Sequence, residues 1–142
     1  MSDATPTIGH PAVHVRWLGD LRFEAGRPER PAIQIDGDGK SAPGPFDTLL
    51  AAIASCAAVD VVTILGKQRT PAQALEVRVE TTRVASTPRR LASAVLHFAI
   101  RAPGATQAKA ERAVELSVTR YCSVRSSLAG DIPVTWIVEL QA

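Results

Sequence analysis

Apolar and polar positions alternate along Val13-His14-Val15-Arg16-Trp17, the period of a strand with one face turned inward. Leu21 to Glu24 reads as its hairpin partner across Gly19-Asp20, and Ala32 to Ile35 as a short third strand ended by Asp36-Gly37-Asp38-Gly39. The pattern then changes. Thr48 to Leu65, TLLAAIASCAAVDVVTIL, is apolar or small throughout except for Asp60 and predicts a long helix. Gly44 fits its N-cap, Pro45 its first residue and Asp47 its third, where a carboxylate accepts from N–H groups left unpaired by the first turn. Period two returns in Leu75-Val77-Val79-Thr81 against Glu76-Arg78-Glu80, and again in Ala92-Ala94-Leu96-Phe98-Ile100. The turn between them is Thr87-Pro-Arg-Arg. Thr106 caps a second helix in which Ala110, Val114, Val118 and Tyr121 share a face and Lys109, Glu111, Arg112 and Glu115 are solvated. Ile132, Val134, Trp136, Val138 and Leu140 alternate as a closing strand.

The order is three strands, helix, two strands, helix, strand. Consecutive strands joined by tight turns favour antiparallel pairing, so the expected class is α+β with an antiparallel sheet and two main helices. No repeat, low-complexity tract or long linker divides the chain, which reads as a single domain over residues 1–142. The long helix approaches the length of a membrane span. Asp60 in its C-terminal half would cost about 2.5–3.5 kcal/mol in lipid. Its small residues, Ala51, Ala52, Ala54, Ser55, Ala57 and Ala58, permit close approach by neighbours. A buried central helix of a soluble protein fits better, with no membrane partner.

Composition narrows the function classes. Hydrophobic residues at 46% and charged residues at 21% are ordinary globular values. A net charge of +2, without a Lys/Arg-rich run or a glycine-rich phosphate loop, gives no footprint for nucleic acid. Met1-Ser-Asp-Ala-Thr-Pro lacks the basic and apolar regions of a signal peptide, so the expected location is cytoplasmic. There a structural disulfide is disfavoured and a transient catalytic one is allowed. Asp36-Gly-Asp-Gly hints at a calcium loop, but Lys40 and Ser41 stand where that loop needs a ligand and a glycine, and a hairpin turn is the better reading. His10, His14 and His97 are scattered and form no zinc spacing with the two cysteines. No metal and no bound cofactor are expected.

Cys56 and Cys122 are the only thiols. Cys56 shares a helix face with Leu49, Ala52, Ile53 and Asp60. A mid-helix Cys among Ala and Val is, taken alone, more often a space filler than a nucleophile. The dipole of its own helix acts mainly in the terminal turns, so a reactive Cys56 calls for a cationic side chain from elsewhere. Arg22 and Arg16 are the leading candidates, with Arg125 a third. Ser123 is positioned to cap a short final helix, placing Cys122 at a helix junction. Asp47 lies nine residues before Cys56, about half a turn round an ideal helix, and reaches the thiol only through an intermediary.

The run Pro45-Phe-Asp-Thr-Leu-Leu-Ala-Ala-Ile-Ala-Ser-Cys56, continuing to Arg69, resembles the first cysteine helix of the OsmC/Ohr family, the osmotically inducible and organic hydroperoxide resistance proteins. Glu111 to Val124, containing Tyr121-Cys122-Ser-Val, resembles the second cysteine segment of its OsmC-like branch, and Val15 to Phe23 the opening hairpin. This resemblance implies an intertwined homodimer with thiol sites at the subunit interface. It also implies a peroxidase in which Cys56 reduces an organic hydroperoxide and Cys122 resolves the product. An arginine, assigned to Arg22, and a carboxylate, here Asp47 in place of the family's Glu, would support the thiolate. The implied reductant is an external dithiol of lipoyl type, such as a lipoylated protein, and Ile53 and Val59 would give the site an apolar lining. Two other readings stay open: a dimer of this fold that binds a small apolar ligand, and a structural dimer with inert cysteines.

Overall fold

The structure, a computed structural model, describes residues 4–142. The reading of Met1–Pro6 as lacking a targeting signal falls partly on residues 1–3, outside the described residues. The chain divides into two compact units, residues 1–48 and 49–142.

The first unit is an antiparallel sheet of β1 (His14–Gly19), β2 (Arg22–Gly26) and β3 (Ile33–Asp36) in that order. The turn between β1 and β2 takes positive φ at Gly19 and Asp20, and the Trp17 indole N–H donates to the Asp20 carbonyl at 2.8 Å. Cross-strand register puts Val15 beside Ala25 and Ala25 beside Ile33, and Trp17 beside Phe23 and Phe23 beside Ile35. One face of this sheet is therefore apolar from edge to edge, and Val15, Trp17 and Ile33 remain exposed on it.

Asp36 ends β3 and organises the loop that follows. Its carboxylate accepts from the backbone N–H groups of Asp38, Lys40 and Ser41 and from the Ser41 hydroxyl. These bonds, Ser41's N–H first, lower its pKa to about 2. The hairpin expected here is a turn into a helix instead, because the Asp36 side chain ties the chain back toward the end of its own strand. The described residues contain no group of three His, Cys, Asp or Glu placed to hold a metal.

Helix α1 (Pro45–Lys67) joins the two units. Its start follows the sequence closely: the Gly44 N–H donates to the Asp47 carboxylate at 3.2 Å, and Thr48 N–H returns to the Gly44 carbonyl. The helix is long and apolar enough to cross a membrane, yet Ile53, Ala57, Val61 and Leu65 are fully buried within the chain. The central helix is buried along this one stripe only. On the opposite side Ala51, Ser55, Val59, Val62 and Gly66 are exposed, Val59 by 64%.

In the second unit β4 (Ala74–Arg83), β5 (Leu91–Arg101) and β6 (Val134–Gln141) form a sheet with β5 in the middle. Leu75, Ile100 and Leu140 are in register, as are Val77, Phe98 and Val138, and Val79, Leu96 and Trp136. These rows form the inward face, and Leu96, Phe98 and Ile100 join the buried stripe of α1 in the core. The pairing of β4 with β5 is antiparallel, as tight-turn logic predicts, but β6 runs parallel to β5. The reason is the connection: the chain passes through α2 (Gln107–Leu116) before β6, and a helical crossover returns a strand in the same direction. Thr106 caps α2 by accepting from Lys109 N–H at 3.2 Å. The Gln107 amide donates to the Val138 carbonyl and accepts from Leu140 N–H, pairing part of the outer edge of β6.

After α2 the backbone widens into a π-turn over Ser117–Tyr121. The Cys122 N–H closes it by donating to the Ser117 carbonyl, five residues back, at 2.8 Å. Ala110, Val114 and Val118 share the buried face as expected, but Tyr121 does not and is exposed. The extra residue in the π-turn carries the residues after Val118, Tyr121 among them, out of α-helical phase.

Candidate active site

The π-turn delivers Cys122 to a junction. A short helix α3 (Ser123–Ser126) begins immediately after it, and Cys122 itself is the N-cap, its sulfur accepting from Arg125 N–H at 3.4 Å. Sequence reasoning placed the cap one residue later, on Ser123. A thiol accepts only weakly, which hid this role. The buried Cys122 sulfur also faces α1, donating to the Ile53 carbonyl at 3.9 Å.

Cys56, half-buried on α1, meets the same junction. Its sulfur lies 3.8 Å from the hydroxyl of Ser123, the residue after Cys122, and the two thiols are near enough to influence each other's ionisation. Both cysteines are free. The fold therefore brings the two thiols together from helices far apart in sequence.

Their electrostatics differ in direction. Burial pushes the Cys56 thiol up, but the Val124 N–H, the Cys122 thiol and Ser123 through its hydroxyl and N–H together outweigh it, and the pKa is lowered. At Cys122 burial dominates. The Arg125 N–H acts against it, Cys56 adds to it, and the pKa is raised. A cationic side chain is thus not the only means of favouring the Cys56 thiolate: backbone N–H groups opening α3 do so. The signal in the sequence is Cys-Ser-Val after a helix, where a new helix start supplies the Ser123 and Val124 N–H groups as well as a cap.

The expected supporting residues are distributed as follows. Arg125 touches the site through its backbone, while its guanidinium is held by the Ile132 and Ala129 carbonyls at 2.8 and 3.4 Å. Arg16 pairs with Glu24 at 3.0 Å within the first sheet. Arg22 is exposed on β2 and Asp47 caps α1, both within the first unit. Ile53 contributes its carbonyl rather than an accessible side chain, which is fully buried.

A hollow of about 300 Å³ opens on the side of Cys122 and is lined also by Val118, Arg120, Arg125, Leu128 and Gly130. A larger one of about 670 Å³ is lined only by residues of the first unit and contains neither thiol.

Comparison with known proteins gives a consistent result. The family profile described as "OsmC-like protein" matches residues 37–137. Protein YhfA of Escherichia coli strain K12 is 34% identical over 129 residues, covering 90% of this chain and 96% of that protein. The crystal structure of an OsmC-like protein from Mycoplasma pneumoniae superposes with a TM-score of 0.80 at 17% identity, over 96% of this chain and 100% of that one. The organic hydroperoxide resistance protein OhrB of Bacillus subtilis shares the fold with a TM-score of 0.61 at 13% identity, over 92% and 98% of the two chains.

Proposed function

This chain belongs to the OsmC-like family, and on that premise we propose that it is a thiol peroxidase reducing organic hydroperoxides to alcohols. The observation that carries the reading is the meeting of two free thiols at one helix junction, with Cys56 shifted toward its thiolate and Cys122 away from it.

In the proposed reaction the Cys56 thiolate attacks a peroxide oxygen. An S–O bond forms, the O–O bond breaks, and the alkoxide takes a proton and leaves as the alcohol. The Cys122 thiol then displaces hydroxide from the Cys56 sulfenic acid, forming a disulfide and water. A dithiol, such as one carried on a lipoylated protein, restores both thiols by exchange. Arg22 is the proposed supporting cation, ahead of Arg16, with Asp47 as its carboxylate.

The functional unit proposed is a cytoplasmic homodimer in which residues 1–142 act as one domain. The family match crosses from one compact unit into the other, which supports a single domain. The exposed apolar face of β1–β3 and the Val59 and Val62 side of α1 supply surface for a second copy to cover.

A second reading, a ligand-binding dimer of the same fold without peroxidase activity, draws support from Asp47, whose carboxylate is occupied by the N–H of Gly44. Substitution separates the two. Cys56→Ser should abolish consumption of cumene hydroperoxide, and Cys122→Ser should leave a sulfenic acid on Cys56 that dimedone captures. Undiminished peroxide turnover in Cys56→Ser, or an unreactive wild type, rejects the peroxidase.

A further inference from the structure

The hollow beside Cys122 has a use that the oxidation steps leave open. It is lined by Val118, Thr119, Arg120, Arg125, Leu128 and Gly130 together with Cys122, and Cys56 is not part of its wall. The two cysteines differ in surroundings: Cys56 is half-buried on α1, while Cys122 is almost wholly buried and borders this hollow. At about 300 Å³ it is at the small end of ligand pockets and suits a slender chain rather than a folded partner. Arg120 and Arg125 give it positive charge, which favours an approaching thiolate.

We infer that this hollow is the entry port for the reductant, a slender dithiol whose thiolate attacks the Cys122 sulfur of the Cys56–Cys122 disulfide. The inference rests on the peroxidase reading for the origin of that disulfide. In the first exchange a bond forms between the reductant and Cys122, the S–S bond breaks, and its electron pair leaves on Cys56 as the thiolate. The second thiol of the reductant loses its proton and attacks the reductant sulfur of the mixed disulfide, closing a cyclic disulfide. Cys122 departs and takes up a proton. Two electrons pass to the protein, and of the two protons released one stays on Cys122 and one goes to solvent. The direction agrees with leaving-group chemistry, since the thiol of lower pKa leaves faster, and that thiol is Cys56.

The test closes the disulfide with diamide, so that it does not depend on any reaction with peroxide. The oxidised protein is mixed briefly with the monothiol mercaptoethanol, quenched in acid, alkylated and mapped by peptide mass spectrometry. The adduct is expected on Cys122, with Cys56 released and alkylated; an adduct on Cys56 overturns the port. Failure of diamide to join the two cysteines overturns both the port and the peroxidase. Mapping to Cys122 in a protein that ignores hydroperoxide would leave the port standing and remove the peroxidase alone. Gly130→Trp provides an independent check, because a side chain there starts into open space without a strained backbone. It should slow disulfide reduction by dithiothreitol about tenfold more than it slows disulfide formation by diamide, by obstructing access to one sulfur. Equal effects on the two rates would contradict the inference.

Discussion

Two cysteines in one chain acquire opposite tendencies from surroundings a few ångströms apart. Cys56 pays a burial penalty like its partner, but the Val124 N–H, the Cys122 thiol and Ser123 through its hydroxyl and N–H together reverse the balance. Cys122 caps the helix that provides those groups, and the Arg125 and Val124 N–H groups do not offset its deeper burial and the neighbouring Cys56. Thiolate is the reactive form, and its fraction rises as pH passes the pKa. Labelling by iodoacetamide across a pH series, read at each cysteine by mass spectrometry, should therefore reach half its maximum below the ordinary thiol value for Cys56 and above it for Cys122. Coincident profiles would mean that the helix junction does not discriminate between them. The two thiols were identifiable from the sequence as the centre of interest, and Asp47 was readable as a helix-start residue from Gly44-Pro45 alone. The source of the shift was not, because backbone N–H groups carry no residue code and become visible only when a second helix end is placed against the sulfur.

At the scale of elements, α1 holds the site by its buried stripe. Ile53 is fully buried and also presents its carbonyl to the Cys122 sulfur. Ile53→Ala should lower stability by about 2–5 kcal/mol, the usual cost of such a truncation in a packed core, seen as a reduced urea midpoint with an unchanged slope. A loss below about 0.5 kcal/mol, typical of surface positions, would show that the stripe is not packed as described. The strands β4 and β5 and both long helices were legible because period two and period 3.6 persist over many residues. Two features were not. The parallel return of β6 depends on the route through α2, which alternation within Val134–Gln141 cannot report. The π-turn at Ser117–Tyr121 breaks helical phase without Gly or Pro to mark it, so Tyr121 was assigned to a face it does not occupy.

For the whole molecule, the apolar surface left uncovered is the main clue to assembly. Val59 at 64% and Trp17 at 65% exposure are large side chains standing in apolar neighbourhoods, not isolated on a polar surface. If a second copy covers α1, Val59→Arg should weaken self-association at least about tenfold, the effect of roughly 1.4 kcal/mol, measured by sedimentation equilibrium. A wild type that sediments as a monomer at micromolar concentration would refute the dimer. The α+β class was legible from element order, and the family from the two cysteine segments. The division into compact units at residues 48 and 49 was not, since α1 runs through it without a break in pattern.

The central claim is that Cys56 and Cys122 form a peroxide-driven redox pair, and mixing the fully reduced protein with one equivalent of cumene hydroperoxide tests it most directly. Non-reducing peptide mapping should then show loss of both free thiols, an intramolecular Cys56–Cys122 linkage and one equivalent of cumyl alcohol. Two free thiols alongside unconsumed hydroperoxide would contradict it.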